Sequence, residues 1–139
     1  RFQPETYVPL SPVWGSNNRT LALRVPTGDP ADRRIEHRVA GADANPYLVM
    51  AAVLAGLHHG LQQPLEPPTP LTGNAYAQCS PGLPTDWRSA LVVWREARIL
   101  PDYLGAAFCR VYAAVKEAER RRFERQVTPL EYSWYLHAV

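Results

Sequence analysis

Residues 34–50 read Arg-Ile-Glu-His-Arg-Val-Ala-Gly-Ala-Asp-Ala-Asn-Pro-Tyr-Leu-Val-Met, and the pattern changes period half-way along. From Arg34 to Val39 polar side chains alternate with apolar or aromatic ones, the period-2 mark of a strand with two different faces. Gly41 to Asn45 is a turn. Asn45 suits a helix N-cap, and Pro46 suits the first helical position, where its missing N–H costs nothing. Tyr47, Met50, Ala51, Leu54, Leu57 and Leu61 then recur at helical spacing. A helix with one apolar face is therefore predicted over 46–63, ended by Pro64. A two-faced strand feeding an amphipathic helix points to an α+β fold.

Upstream, residues 1–17 are rich in turn-formers, and Thr20 to Val25 reads as a strand stopped by Pro26. Downstream, residues 64–85 carry Pro64, Pro67, Pro68, Pro70, Pro81 and Pro84 and read as a linker or a long surface loop, not a regular element. A short helix is predicted through Trp87, Leu91 and Trp94. A longer one opens at Pro101-Asp102 with the stripe Leu104, Phe108, Val111, Tyr112 and Val115, and a last one opens at Thr128-Pro129 with Glu131 at N3. The chain thus divides into strands and loops over 1–45, a helix over 46–63, a Pro-rich loop over 64–85 and a helical tail over 86–139.

The 139 residues are 46% hydrophobic and 20% charged, which is ordinary globular usage. A formal net charge of +2 is too even for a nucleic-acid footprint over the whole chain. The longest apolar run, Tyr47 to Leu57, is about half of the ~20 residues a membrane span needs. Cys79 and Cys109 form no C-x-x-C, so a reducing, cytoplasmic setting is the expectation. Opening on Arg1 in mid-pattern, with no Met and no leader, the chain is expected to lack residues upstream.

Alternation puts Arg34, Glu36 and Arg38 on one strand face at ~6–7 Å spacing, and Ile35, His37 and Val39 on the other. Guanidinium forks bind carboxylate and phosphate bidentately, and Glu36 between two cations stays ionised, as a hard-metal ligand must. A solvated face laced with ion pairs has the same pattern, and spacing alone leaves both readings open. Arg19 and Arg24, five residues apart, cannot share a face of an unbroken strand, so Arg19 falls in a turn or at a bulge. The four histidines make no metal motif; His58 and His59 are neighbours that diverge on a helix. Glu119 to Arg122 reads as a solvated helix end. Neither a G-x-x-x-x-G-K-[ST] nor a G-x-G-x-x-G loop is present, so side chains would have to hold a nucleotide.

Taken together, Asn17-Asn18-Arg19-Thr20, Ala22-Leu23-Arg24-Val25-Pro26, Arg33-Arg34-Ile35-Glu36-His37-Arg38 and Gly41-Ala42-Asp43-Ala44-Asn45-Pro46-Tyr47-Leu48 resemble the C-terminal half of the glutamine synthetase catalytic domain. Thr128-Pro129-Leu130-Glu131-Tyr132 resembles that family's closing helix. The resemblance implies an ATP-dependent ligase that makes a γ-glutamyl amide from glutamate and an amine through γ-glutamyl phosphate. It further implies Mg2+ or Mn2+ and a large ring-shaped homo-oligomer whose sites a neighbouring subunit completes. Residue by residue, it makes Glu36 a metal ligand, Arg1 and Arg38 glutamate-binding, Arg24 and Arg34 ATP-binding, and Arg19 both ATP-binding and catalytic, facing the transferring phosphoryl group.

Two departures stand out. Ammonia-using members carry an acidic flap residue where Arg1-Phe2-Gln3-Pro4-Glu5-Thr6-Tyr7-Val8-Pro9 has Tyr7. A neutral aromatic there points to a larger amine, and Arg34 to Asp43, with His37, resembles the γ-glutamylpolyamine (glutamate–putrescine ligase) branch. The family's other metal ligands and its N-terminal domain match nothing in this chain, so the chain alone is expected to be inactive. Glutamine synthetase proper is the alternative of the same class, and a non-catalytic assembly module the alternative of another. Tyr76 falls near the adenylylated tyrosine of some bacterial glutamine synthetases, but its neighbours are not theirs.

Overall fold

The structure is a computed structural model that describes residues 6–138. It comprises two compact units, residues 1–86 and residues 87–139. The first holds a three-stranded sheet in the order β1 (Trp14–Ser16), β2 (Leu23–Val25), β3 (Glu36–His37). β1 pairs with β2 in parallel, Trp14 opposite Leu23, and β2 pairs with β3 antiparallel, Arg24 opposite Glu36. Parallel neighbours ordinarily need a long crossover. Here each strand is three residues long, about 10 Å, so the short connection through 17–22 suffices to bring the chain back.

Both strands are shorter than their alternation predicts. Thr20 is held in a turn, its N–H and hydroxyl both donating to Asn18 Oδ1 at 3.0 and 2.8 Å. Pro26 follows β2 directly and has no N–H to extend the ladder. Residues 34 and 35 therefore find no partner strand, and β3 shrinks to Glu36 and His37. Arg19 lies in the turn before β2, as its spacing requires.

The helix predicted over 46–63 is α1, Pro46–Gln62, and Asn45 Oδ1 accepts from the N–H groups of Tyr47 and Leu48. Its apolar stripe stays open: Tyr47, Met50, Leu54, Leu57 and Leu61 are between 49% and 85% exposed. The buried residues of this unit are few and small, chiefly Pro9, Leu10, Leu21, Ala22 and Ala75.

The Pro-rich segment 64–85 is not a linker. It contains a one-turn helix, α2 (Ala75–Gln78), and is bonded to residues 8–14 along its length. Trp14 Nε1 donates to the Pro68 carbonyl at 2.6 Å, Leu71 N to the Trp14 carbonyl at 2.8 Å, and Ser11 Oγ to the Ser80 carbonyl at 2.7 Å. Gly15 permits that approach: a Cβ there would lie 2.9 Å from Leu21 Cδ1 and nearer still to the Leu71 carbonyl.

The second unit is helical: α3 (Trp87–Glu96), α4 (Leu100–Leu104), α5 (Ala106–Glu124) and α6 (Pro129–Tyr135). The helix predicted from Pro101 onward is in fact two, because Gly105 takes φ +84° and breaks it. α3 packs on α5 through buried Leu91 and Ala113, with the rings of Trp94 and Tyr112 4.7 Å apart. The end of α5 is solvated at Glu119, Arg121 and Arg122, as the charge run predicts, but not at Arg120. Arg120 is buried and donates to Glu117, at 3.2 and 2.8 Å, and to Glu124. α6 starts on a complete capping box between Thr128 and Glu131. Among the described residues no helix is long and apolar enough to cross a membrane.

Candidate active site

An open cleft of about 720 Å³ lies beside β2, lined by Tyr7, Asn17, Asn18, Arg19, Arg24 and the segment Thr72 to Asn74 among others. Arg24 lines it, and the antiparallel register sets Arg24 opposite Glu36. Directly opposed residues project to the same face. Arg24 Nη1 donates to Glu36 Oε2 at 2.8 Å, and Arg34 Nη2 donates to Glu36 Oε1 at 3.3 Å, so each carboxylate oxygen faces its own guanidinium. The hydrogen bond from Arg24, against the opposing effect of desolvation, holds the Glu36 carboxyl below the usual carboxylate range. Arg24 Nη2 donates in addition to Asn17 Oδ1 at 2.7 Å.

Arg38 is engaged differently from Arg24 and Arg34, with a backbone carbonyl and not with Glu36. Its Nη2 donates to the Tyr7 carbonyl at 3.1 Å, and Tyr7 sits in the left-handed region at φ +57°. Among the described residues, the Nε–H groups of Arg24 and Arg38 are both buried without an acceptor. Such unanswered donors are uncommon in folded proteins. Arg19, exposed at the rim, makes no ion pair or hydrogen bond among the described residues. Arg1 lies outside the described residues. Tyr7, Arg19, Arg24, Arg34, Glu36 and Arg38 thus form one continuous constellation, joined either by direct bonds or by the shared cleft.

The periodicity overlooked two contributors. Asn17 reaches Arg24, and Thr72-Gly73-Asn74 form the opposite wall, held by Asn18 Nδ2 donating to the Gly73 carbonyl at 2.6 Å. The signal for the first was an Asn-Asn pair at a turn, where αL geometry is tolerated; the second lay hidden in a proline-rich stretch. Tyr76 is part of the scaffold: its hydroxyl donates to the Val8 carbonyl at 2.8 Å, and burial pushes its pKa up.

A cluster of cationic forks with one buffered carboxylate can grip phosphate and carboxylate oxygens and stabilise charge that develops on them. It supplies no nucleophile of its own. Nor is it a metal centre by itself. Both Glu36 oxygens are engaged, and among the described residues no group of three His, Cys, Asp or Glu side chains converges. A divalent cation normally gathers several oxygens, so Glu36 is at most one ligand of such a site.

Residues 1–135 match the sequence model of the glutamine synthetase catalytic domain. This chain belongs to the glutamine synthetase family. Over 136 residues it is 49% identical to a γ-glutamylputrescine synthetase of Escherichia coli, covering 98% of this chain and 29% of that protein. It is 37% identical to a γ-glutamylethanolamide synthetase of Streptomyces coelicolor over 94% of this chain and 28% of the relative. A glutamate–isopropylamine ligase of a Pseudomonas species is 34% identical over 91% and 28%. The solved structure titled "Apo GmaS without ligand" superposes with a TM-score of 0.76 at 29% identity, covering 95% of this chain and 31% of its own. The family's fold is therefore the fold of this chain, with its small sheet followed by helices. The chain spans between 26% and 33% of the length of the curated relatives it matches.

Proposed function

We propose that this segment forms the phosphate- and glutamate-facing part of a ligase that joins glutamate to an amine, putrescine or a related polyamine, at the cost of ATP. In the first step glutamate's γ-carboxylate oxygen attacks the γ-phosphorus and ADP leaves. In the second the amine nitrogen attacks the acyl carbon and inorganic phosphate leaves. Both steps place negative charge on oxygens that fixed guanidinium groups can stabilise. Arg19, exposed at the rim, is assigned to the phosphoryl group in transfer. Arg24 and Arg34, tied by Glu36, are assigned to the ATP phosphates, and Arg38 with Arg1 to the substrate glutamate. Glu36 would offer one carboxylate to the Mg2+ or Mn2+ that accompanies ATP.

The observation that carries this reading is one cleft lined by Tyr7, Arg19 and Arg24, with Arg24 bonded in turn to Glu36 and Glu36 to Arg34. The relatives named for amine ligases support it at the level of chemistry. Tyr7 offers no carboxylate to bind ammonium or take its proton, which favours an amine with an apolar stem. With no converging group of three metal-ligating side chains among the described residues, residues 1–139 by themselves are not expected to turn over. The deciding experiment is phosphate release from ATP and glutamate by the whole protein, with putrescine, a monoamine or ammonium as the nucleophile. Release driven by putrescine is the expected result. Release driven mainly by ammonium would make it a glutamine-forming enzyme, and none with any nucleophile would leave no ligase to explain.

A further inference from the structure

We propose that Asn17 is the positioning residue for Arg24, orienting its guanidinium without neutralising it. The inference rests on the reading of Arg24 as a phosphate contact and extends it to a residue to which the resemblance assigned no role. Asn17 follows β1 and takes φ +47°, a left-handed conformation that Asn, Asp and Gly accept far more readily than other residues. Its backbone is fixed there, since its N–H donates to the Val25 carbonyl at 2.9 Å and so continues the pairing of β1 with β2. The side chain then lies over Arg24, and Oδ1 accepts from Nη2 at 2.7 Å.

Arg24 is thereby tethered at both ends of its fork, by the Glu36 carboxylate on Nη1 and by a neutral amide on Nη2. The chemistry of the second tether matters. Glu36 already divides its charge between Arg24 and Arg34. A second carboxylate would cancel the cation that an anionic phosphate is to meet, whereas an amide oxygen fixes the plane of the guanidinium and leaves its charge. Asn18, next in sequence, has a different task, holding Thr20 and the Gly73 wall. The two asparagines divide the cleft between them.

A turn-former alone would be equally served by Gly or Asp at this φ, and that separates the two roles. In the whole protein, Asn17→Gly keeps the backbone and deletes the acceptor, Asn17→Asp keeps the acceptor and adds a charge, and Arg24→Ala sets the reference. The readouts are calorimetric affinity for a non-hydrolysable ATP analogue with magnesium, KM for ATP against KM for glutamate, and the melting temperature. Arg24→Ala weakens analogue binding. Asn17→Gly weakens it roughly tenfold, the scale of one hydrogen bond to a charged group. Asn17→Asp weakens it at least as much, with KM for glutamate unmoved. The double variant Asn17→Gly with Arg24→Ala is no worse than Arg24→Ala alone. Should Arg24→Ala matter while both Asn17 variants bind like the parent, or should the losses add, Asn17 only makes the turn and the proposal is wrong. If Arg24→Ala itself changes nothing, the assignment of Arg24 to phosphate has failed and Asn17's role fails with it. Asn17→Asp keeps the test decisive if the glycine variant melts early.

Discussion

Tyr7 is a large, non-glycine residue at φ +57° and 61% exposed, a conformation that costs on the order of 1–2 kcal/mol. Its carbonyl accepts from Arg38, so the residue proposed for the amine edge is bonded to the residue proposed for glutamate. Replacing Tyr7 with Glu in the whole protein should raise kcat/KM for ammonium and lower it for putrescine, because a carboxylate there would attract and deprotonate the small cation. Phosphate release with each nucleophile checks this, and unchanged selectivity would remove Tyr7 from the site. The residue types at this site were readable in the sequence, and so was the turn placement of Arg19. The bond between Arg24 and Glu36 was not: alternation sorts residues within one strand, whereas the pairing of Arg24 with Glu36 depends on the path of the intervening loop.

Among elements, α5 carries the strongest electrostatic signature. Arg120 first, and then Arg121, hydrogen-bond Glu117 and hold its carboxyl down at about 2, against the cost of desolvation. A carboxylate lowered on folding contributes stability that is present in full above its ordinary pKa and is lost as pH falls toward the lowered value. The second unit should therefore lose stability between about pH 5 and pH 2. Glu117→Gln should flatten that loss while lowering the melting temperature at pH 7. Melts of the two proteins across this range test it, and parallel curves would show that Glu117 is not the group responsible. Charge periodicity placed Arg120 at a solvated helix end because the run of arginines looks uniform. Its burial and its bonds to both Glu117 and Glu124, one turn away on either side, distinguish it from Arg121, which reaches Glu117 alone, and from Arg122. Caps were more legible. Asn45 with Pro46, and Thr128 with Glu131, each act within three residues, and both helices start where the sequence places them.

At the scale of the whole chain, the predominant feature is apolar surface left in water. The stripe on α1 is a face of five large side chains with no cover among the described residues. Contiguous patches of this kind bind other apolar surface. The 139-residue chain on its own should therefore enhance the fluorescence of anilinonaphthalene sulfonate, and Leu54→Gln with Leu57→Gln should diminish that signal. If the double variant binds dye as well as the parent does, the stripe is not the exposed surface.

The sequence by itself determined α1, α3 and α6, the caps of α1 and α6, and the inventory of arginines around Glu36, because helical bonds reach four residues and a cap reaches three. The tertiary structure alone decided that β3 is two residues long, that Gly105 divides a helix, and that a proline-rich stretch braces the cleft. The bonds that fix that brace, Trp14 to Pro68, Tyr76 to Val8 and Ser11 to Ser80, join residues 54 to 69 positions apart. No local period records a contact of that span, since it depends on where the chain returns and not on which residues are neighbours.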